Sequence, residues 1–417
     1  MNLFECFRVA ARALTANKLR TILTMLGIII GVGAVVGLMS VGRGAQASIT
    51  SSIQSQGTNL VFVRPGTVQT GGVRTGQGGA GTLTYEDAEA LGDGRLPQIA
   101  ALAPEINQMV QLIAGSQNYS ARVIGTTPDY QDVRNFHVAN GEFFTRQNLE
   151  ARSSVIMLGA TVAETLYADS DPVGQTVKVS IGGRTGVNFR VLGVMERKGG
   201  TGFVNQDDQV LIPLTTMQSR LSGQRTAQGT RNINLVNIQL ADGVKAADVT
   251  EPIAQILRER HRVVQDDFTI QSQEDLLQVA NQVTGVLTVL LGSIAGISLV
   301  VGGIGIMNIM LVSVTERTRE IGIRKAVGAT RRDILTQFLT EAVVVSVVGG
   351  GIGVALGIGL ATVVSTLDIN GQKLATLVGA DSVILAFGVS AAIGVFFGIY
   401  PAARASRLNP IDALRYE

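Results

Sequence analysis

The chain has 417 residues, 46% hydrophobic and only 16% charged, with 50 glycines, no tryptophan and a net charge of +2. A mean hydropathy of +0.31 with so much glycine fits a membrane protein with closely packed helices better than a soluble domain. A single cysteine, Cys6, excludes an intrachain disulfide, and the two distant histidines, His137 and His261, have no neighbouring cysteines with which to form a metal-ligand cluster.

From the N-terminus, Leu3, Phe4, Phe7, Ala10, Ala11 and Leu14 recur at helical spacing opposite Arg8 and Arg12, which predicts an amphipathic helix over residues 1–20 lying in the membrane surface. Thr21 to Gly42 carries no charge and is long enough to cross a hydrocarbon core that needs about 20 helical residues. Basic residues before this run and Ala45-Gln46-Ala47 after it resemble a signal peptide with its cleavage site. The apolar run exceeds a signal core, however, so a retained first span over residues 21–42 is the expectation.

Residues 43–282 read as a folded α+β domain. Arg64 to Thr82 is rich in Gly and Thr without apolar periodicity and predicts a loose loop. Strands are predicted at Leu60–Val63, Met109–Ile113, Ser120–Ile124, Val155–Leu158, Thr176–Ile181, Phe189–Val194, Val210–Ile212, Ile233–Leu240 and Phe268–Gln271. Helices are predicted at Tyr85–Leu91, Ala160–Tyr167 and Val249–Arg260. The succession of strand Ile233–Leu240, helix and strand Phe268–Gln271 suggests one half of a split βαβ unit. A similar half follows the first span, and the two flank a mostly β insertion from about Ser116 to Ser222. No G-x-S-x-G or H-E-x-x-H motif occurs, and the pair Asp207-Asp208 is read as a turn before a strand.

Three more uncharged runs follow: Val286–Val314 (a span with stalk, residues 283–315), Ala342–Leu367 (342–367) and Ser382–Ala403, whose span is expected to close at Pro401 (382–400). Lys and Arg number four before the first span, six in the loop 316–341 and three in the tail 401–417, against one, Lys373, in the loop 368–381. By the positive-inside rule both termini and the 316–341 loop are cytosolic, while residues 43–282 are extracytoplasmic. The pairs Gly27/Gly31, Gly33/Gly37, Gly292/Gly296, Gly353/Gly357 and Gly394/Gly398 have the spacing of close helix contact in lipid. The spans hold no charge, which disfavours an ion path or a midplane substrate site.

The charged loop itself, Glu316 to Glu341, predicts a helix ending at Gly328 and a second one capped by Thr330 with Asp333, and Asn409-Pro410 predicts the start of a last short helix. Ile321, Val327 and Ala329 make its turn less polar than the charge suggests, as a docking surface would be. Physical chemistry alone leaves a docking site and a solvated turn both open.

Resemblance adds a further expectation. Ser298 to Glu341, the N-terminal ALTANKLRTILTMLGIIIGV and the tail YPAARASRLNPIDALRYE closely resemble permease subunits of MacB-like ATP-binding-cassette transporters, a superfamily that includes FtsX, LolC and LolE. In the outer segment LTYEDAEAL, IGTTPDY, DPVGQ and NQDDQVLIPL fit its periplasmic core domain. The resemblance implies a multi-pass α-helical membrane protein of four transmembrane helices, with the large extracytoplasmic α+β domain between helices 1 and 2. It further implies an inner-membrane permease that dimerises with itself or a close paralogue, works with a cytosolic ABC ATPase and a membrane-fusion adaptor, and binds no nucleic acid. Glu316, Arg317, Arg319, Glu320, Ile321, Arg324, Lys325, Gly328, Ala329 and Thr330 match the coupling segment, which would pass ATPase movement up the second span to the outer domain and expel a substrate. The alternative is an FtsX-like signalling subunit that controls a partner such as a cell-wall hydrolase. No G-x-x-x-x-G-K-[ST] loop is present, so no cofactor is expected in this chain, and ATP with Mg is expected on a separate ATPase.

Overall fold

Backbone in hydrocarbon must satisfy its own hydrogen bonds, and the four uncharged runs accordingly form long helices. The computed structural model describes residues 18–66, 69–70, 73–74, 81–168, 170–181, 186–201, 204–221, 232–369, 372–373 and 375–414. The amphipathic helix expected over residues 1–20 falls almost wholly outside these. The chain divides into two compact units, residues 1–48 with 281–417 and residues 49–280.

Four of the helices of the first unit, α1 (Lys18–Ser55), α2 (Gln273–Glu316), α4 (Arg331–Thr366) and α5 (Ala380–Ser406), are long and apolar enough to cross a membrane. The short helices α3 (Thr318–Ala326) and α6 (Pro410–Leu414) follow α2 and α5. Ile28, Val32, Leu299, Ile306, Phe338, Ala342, Ala386 and Ala402 form the bundle core. Four of the five G-x-x-x-G pairs are used inside this bundle. A Cβ on Gly27 would lie 2.8 Å from Gly302 Cα, and one on Gly357 2.8 Å from the Gly33 carbonyl. Gly394 and Gly398 face Ser346 and Ala342, whereas Gly292 and Gly296 meet nothing within 4 Å among the described residues.

Pro401, where the fourth span is expected to close, lies inside α5. The helix continues to Ser406, because Ala402 and Ala405 on its far side are fully buried in the core. The second helix stops sooner than a continuous charged helix would, at Glu316, and a kink at Arg317 starts α3.

The unit of residues 49–280 is built on one ten-stranded sheet: β1 (Leu60–Pro65), β2 (Ile99–Ala114), β3 (Gln117–Thr126), β4 (Val138–Gly141), β5 (Val155–Leu158), β6 (Thr176–Ser180), β7 (Val187–Met195), β8 (Gln209–Pro213), β9 (Leu235–Leu240) and β10 (Phe268–Ser272). At one end the order is β10-β1-β9-β2 with all neighbours antiparallel, and helices Tyr85–Leu91 and Ala246–His261 join β1 to β2 and β9 to β10. This is the expected split βαβ unit. At the other end β2, β3, β8, β5, β7 and β6 pair in a ring, since β6 bonds both β7 and β2. The mostly β insertion is therefore a closed six-stranded barrel, which leaves none of those six an open edge.

The two parts share β2. Sequence pattern predicts a strand of five residues there, but the strand has 16, pairing with β9 up to Glu105 and with β3 from Ile106 onward. Its alternation is blurred because the partner changes midway. At that point Glu105 is buried and receives a hydrogen bond from Asn237 Nδ2 at 2.5 Å. Burial raises the pKa of its carboxyl above the ordinary range, against the pull of Arg134 and the Asn237 hydrogen bond. Most other expected strands stand within two residues of their predicted ends. Helix Val249–Arg260 lengthens to Ala246–His261, while β4 and the short helices Tyr130–Val133 and Arg146–Glu150 have no counterpart in the reading. Arg64-Pro65 belongs to β1, Gly66 N–H donates to the Asp267 carbonyl, Gln69–Thr70 pairs with Val73–Arg74, and residues 67–68, 71–72 and 75–80 of the loose loop lie outside the described residues.

His261 has a side chain only 8% exposed, set between Asp267 (Nδ1 to Oδ1, 2.7 Å) and Asp87 (Nε2 to Oδ2, 3.1 Å). Burial alone would lower its pKa, but these two carboxylates outweigh burial and raise it to about 9. Arg260 also pairs with Asp87. Asp207 is a backbone anchor, accepting from the N–H groups of Lys198 and Gly199, while Asp208 accepts from the Tyr119 hydroxyl.

Two predictions follow from this packing. Gly357→Leu should lower the thermal midpoint of the detergent-solubilised chain by an amount equivalent to about 1–3 kcal/mol, whereas Gly359→Leu, on the exposed side of the same helix, should leave it unchanged; equal midpoints for the two variants would refute the packing assignment. The protonated His261 contributes its stabilisation fully below the unfolded pKa of about 6.5 and loses it as pH rises through about 9. The midpoint difference between the wild type and His261→Gln should therefore be largest near pH 6 and close by about pH 9.5. A difference constant with pH counts against this role.

Candidate functional site

The charged segment is short and rigidly held. Gly328, at φ +108°, makes the left-handed turn that ends α3, with Ala329 N–H returning to the Arg324 carbonyl. Thr330 and Asp333 form a reciprocal capping box at the start of α4, with Thr330 N–H to Asp333 at 2.9 Å and Asp333 N–H to the Thr330 hydroxyl at 3.3 Å. On the inner side Ile321 is fully buried beside Ile334 and Phe338, and Ala329 packs against the same core. Gly322 lies against α6, where an added Cβ would sit 2.9 Å from Ala413 Cβ.

Polar contacts fasten α3 to α4 and to the end of α5. Arg317 Nη1 donates to Glu341 on α4 at 3.2 Å, and Glu341 is 7% exposed. Arg324 bridges Glu320, one turn earlier, at 2.5 Å and Gln337 on α4 at 3.3 Å. Lys325 Nζ donates to the carbonyls of Ser406 and Leu408, both at 2.6 Å, so its charge covers the C-terminal end of α5. Burial, then the nearby Arg331, hold its pKa below the usual lysine value.

The ten residues singled out by sequence thus separate. Arg317, Ile321, Arg324 and Lys325 face inward and position the helix. Glu316, Arg319 and Glu320 are exposed, and Gly328, Ala329 and Thr330 form the turn. Beside Arg319, Ile323 is 50% and Val327 85% exposed, an apolar pair rimmed by the exposed Arg331 and Arg332. Ile323 was missed by the reading, although its place two residues after Ile321 puts it on the opposite side of the helix. Glu341, Gln337, Ser406 and Leu408 were also missed, because their roles depend on contacts across 13 to 83 residues.

The family model of the MacB-like periplasmic core domain matches residues 21–256, and that of the FtsX-like permease C-terminal region matches residues 292–410. The chain belongs to the MacB-like permease family. It is 42% identical over 410 residues to "Macrolide export ATP-binding/permease protein MacB" of Bdellovibrio bacteriovorus, covering 97% of this chain and 61% of that protein. It is 42% identical over 418 residues to the protein of the same name from Azoarcus sp., covering 100% and 60%. The MacB-like permease therefore spans about three fifths of these relatives. The crystal structure of the periplasmic region of MacB from Actinobacillus actinomycetemcomitans is similar at a TM-score of 0.43 and 20% identity, covering 56% of this chain and 97% of that one.

In this MacB-like permease the inward-facing residues should act through stability and the outward ones should not. Lys325→Met should speed hydrogen exchange across residues 404–414, whereas Arg319→Ala should leave exchange there unchanged. Identical protection in the two variants would show that Lys325 does not hold the end of α5.

Proposed function

We propose that this MacB-like permease is the membrane part of an ATP-driven export complex in the bacterial inner membrane. The observation that carries the proposal is the outward face of α3, in which Ile323, Val327 and Arg319 are exposed on a helix whose inward side chains tie it to α4, α5 and α6. A helix held this firmly passes a push to the bundle instead of absorbing it. The basic-residue asymmetry supports a cytosolic position for α3, where an ATP-hydrolysing subunit would dock. The unbroken 44-residue α2 offers a covalent route from α3 toward the residues that follow β10, as mechanical transmission requires.

The uncharged interiors of the spans agree with a cargo handled outside the bilayer, together with an adaptor protein, and not along a polar path between helices. A second permease chain is expected to approach α2 at Gly292 and Gly296, where an added Cβ would meet nothing within 4 Å among the described residues. The name shared by the relatives makes macrolide antibiotics the first cargo to test.

The test is co-reconstitution with a cognate ATP-hydrolysing subunit and an adaptor protein. Ile323→Asp combined with Val327→Asp should reduce permease-dependent ATP turnover and export about tenfold or more while leaving insertion and thermal midpoint intact, because two charges then face an apolar partner. Turnover and export both unchanged would overturn the docking role. The 417-residue chain by itself should show no ATP turnover. A complex that turns over ATP and activates a wall hydrolase but exports nothing would favour the signalling alternative.

A further inference from the structure

Two of the sequence motifs play no part in the charged segment, and the fold brings them together. Tyr85, Glu89 and Leu91 of LTYEDAEAL and Thr127 and Asp129 of IGTTPDY line one cleft of about 660 Å³ in the unit of residues 49–280. The cleft lies between helix Tyr85–Leu91 with the first half of β2 on one side and helix Arg146–Glu150 with the loop after β3 on the other. Its volume is that of a site for a drug-sized molecule.

The floor is apolar, from Leu91, Leu96, Ile99, Leu102 and Leu149. Three carboxylates, Glu89, Asp129 and Glu150, stand against one cation, Arg146. Tyr85 is joined to this group. Burial first, then the adjoining Glu89, push its phenol up to about 12, so it stays a neutral donor. Thr127 is only 6% exposed, and its hydroxyl has no hydrogen-bond partner among the described residues. A buried hydroxyl without a partner costs stability that a bound polar group would restore.

We propose that this cleft is a binding site for an amphipathic organic cation, with its apolar body on the leucine floor, its cationic centre among Glu89, Asp129 and Glu150, and a polar group at Thr127. Identifying that ligand with exported cargo rests on the export reading; binding itself does not.

The test uses the full chain in nanodiscs of zwitterionic lipid, with rhodamine 6G as the cationic probe followed by fluorescence anisotropy and empty discs as the background. Saturable binding is expected, displaced by tetraphenylphosphonium and not by the anionic dye 8-anilinonaphthalene-1-sulfonate. Glu89→Gln, Asp129→Asn and Glu150→Gln together should weaken it about tenfold, and Thr127→Val should weaken it less. Arg146→Gln should tighten it, a gain that misfolding does not produce. No saturable binding above empty discs, equal affinity in the triple variant, or equal displacement by the anionic dye would overturn the proposal. Export of the probe that persists undiminished in the triple variant would overturn the cleft as cargo site while leaving the export reading intact. Cleft binding that follows the expected variant pattern, in a complex that exports nothing, supports the site and removes the export reading alone.

Discussion

Where Gly27 meets Gly302 and Gly33 meets Gly353 and Gly357, two helix backbones lie closer than any side chain would permit. In hydrocarbon, burying leucine gains nothing over leaving it in lipid, so helix association depends on this close fit and on the van der Waals contact it allows. The remainder of the membrane unit follows from it. Ile28, Val32 and Val36 of α1 reach the core because the glycines beside them bring α1 against α2 and α4, and the same core supports Ile321 beneath the charged helix.

The other unit solves a different problem, that of giving a large sheet no exposed edges in its barrel portion. Strand β2 serves both parts, and the residues where it changes partner, Glu105 and Ile106, lie among buried polar side chains that are costly to bury but specific in pairing. Asn237 satisfies Glu105 from the neighbouring β9, so the point of exchange is fastened by a side-chain hydrogen bond as well as by backbone pairing.

The charged segment combines these two kinds of constraint. Three of its six basic residues do not face outward. Lys325 covers the carbonyl end of one helix, Arg317 neutralises a buried carboxylate on another, and Arg324 joins α3 to α4. The basic count of the loop therefore overstates the charge on its outward face, which is more apolar than the sequence suggests, with Val327 among its most exposed residues.

Much was legible from the sequence by itself, because the signals are local. An uncharged run of sufficient length must be a helix in lipid, Thr330 three residues before Asp333 must cap one, and alternating residues such as those of Val155–Leu158 mark a strand. The split βαβ halves were also visible, since each is contiguous. Contacts between distant residues were not. Nothing in the alternation of β2 shows that it changes partner at Glu105, nothing near His261 shows that Asp87 lies 174 positions away in the chain and 3.1 Å away in space, and nothing in Lys325 shows that it will cap a helix ending at Ser406. That α5 carries on past Pro401 to Ser406, with Ala402 and Ala405 buried in the core, is likewise set by packing. Sequence determined which segments are helix, strand and turn, through local sterics and hydropathy; the tertiary structure alone decided which side chains of the charged segment face outward and which two motifs share a cleft, because both depend on long-range packing.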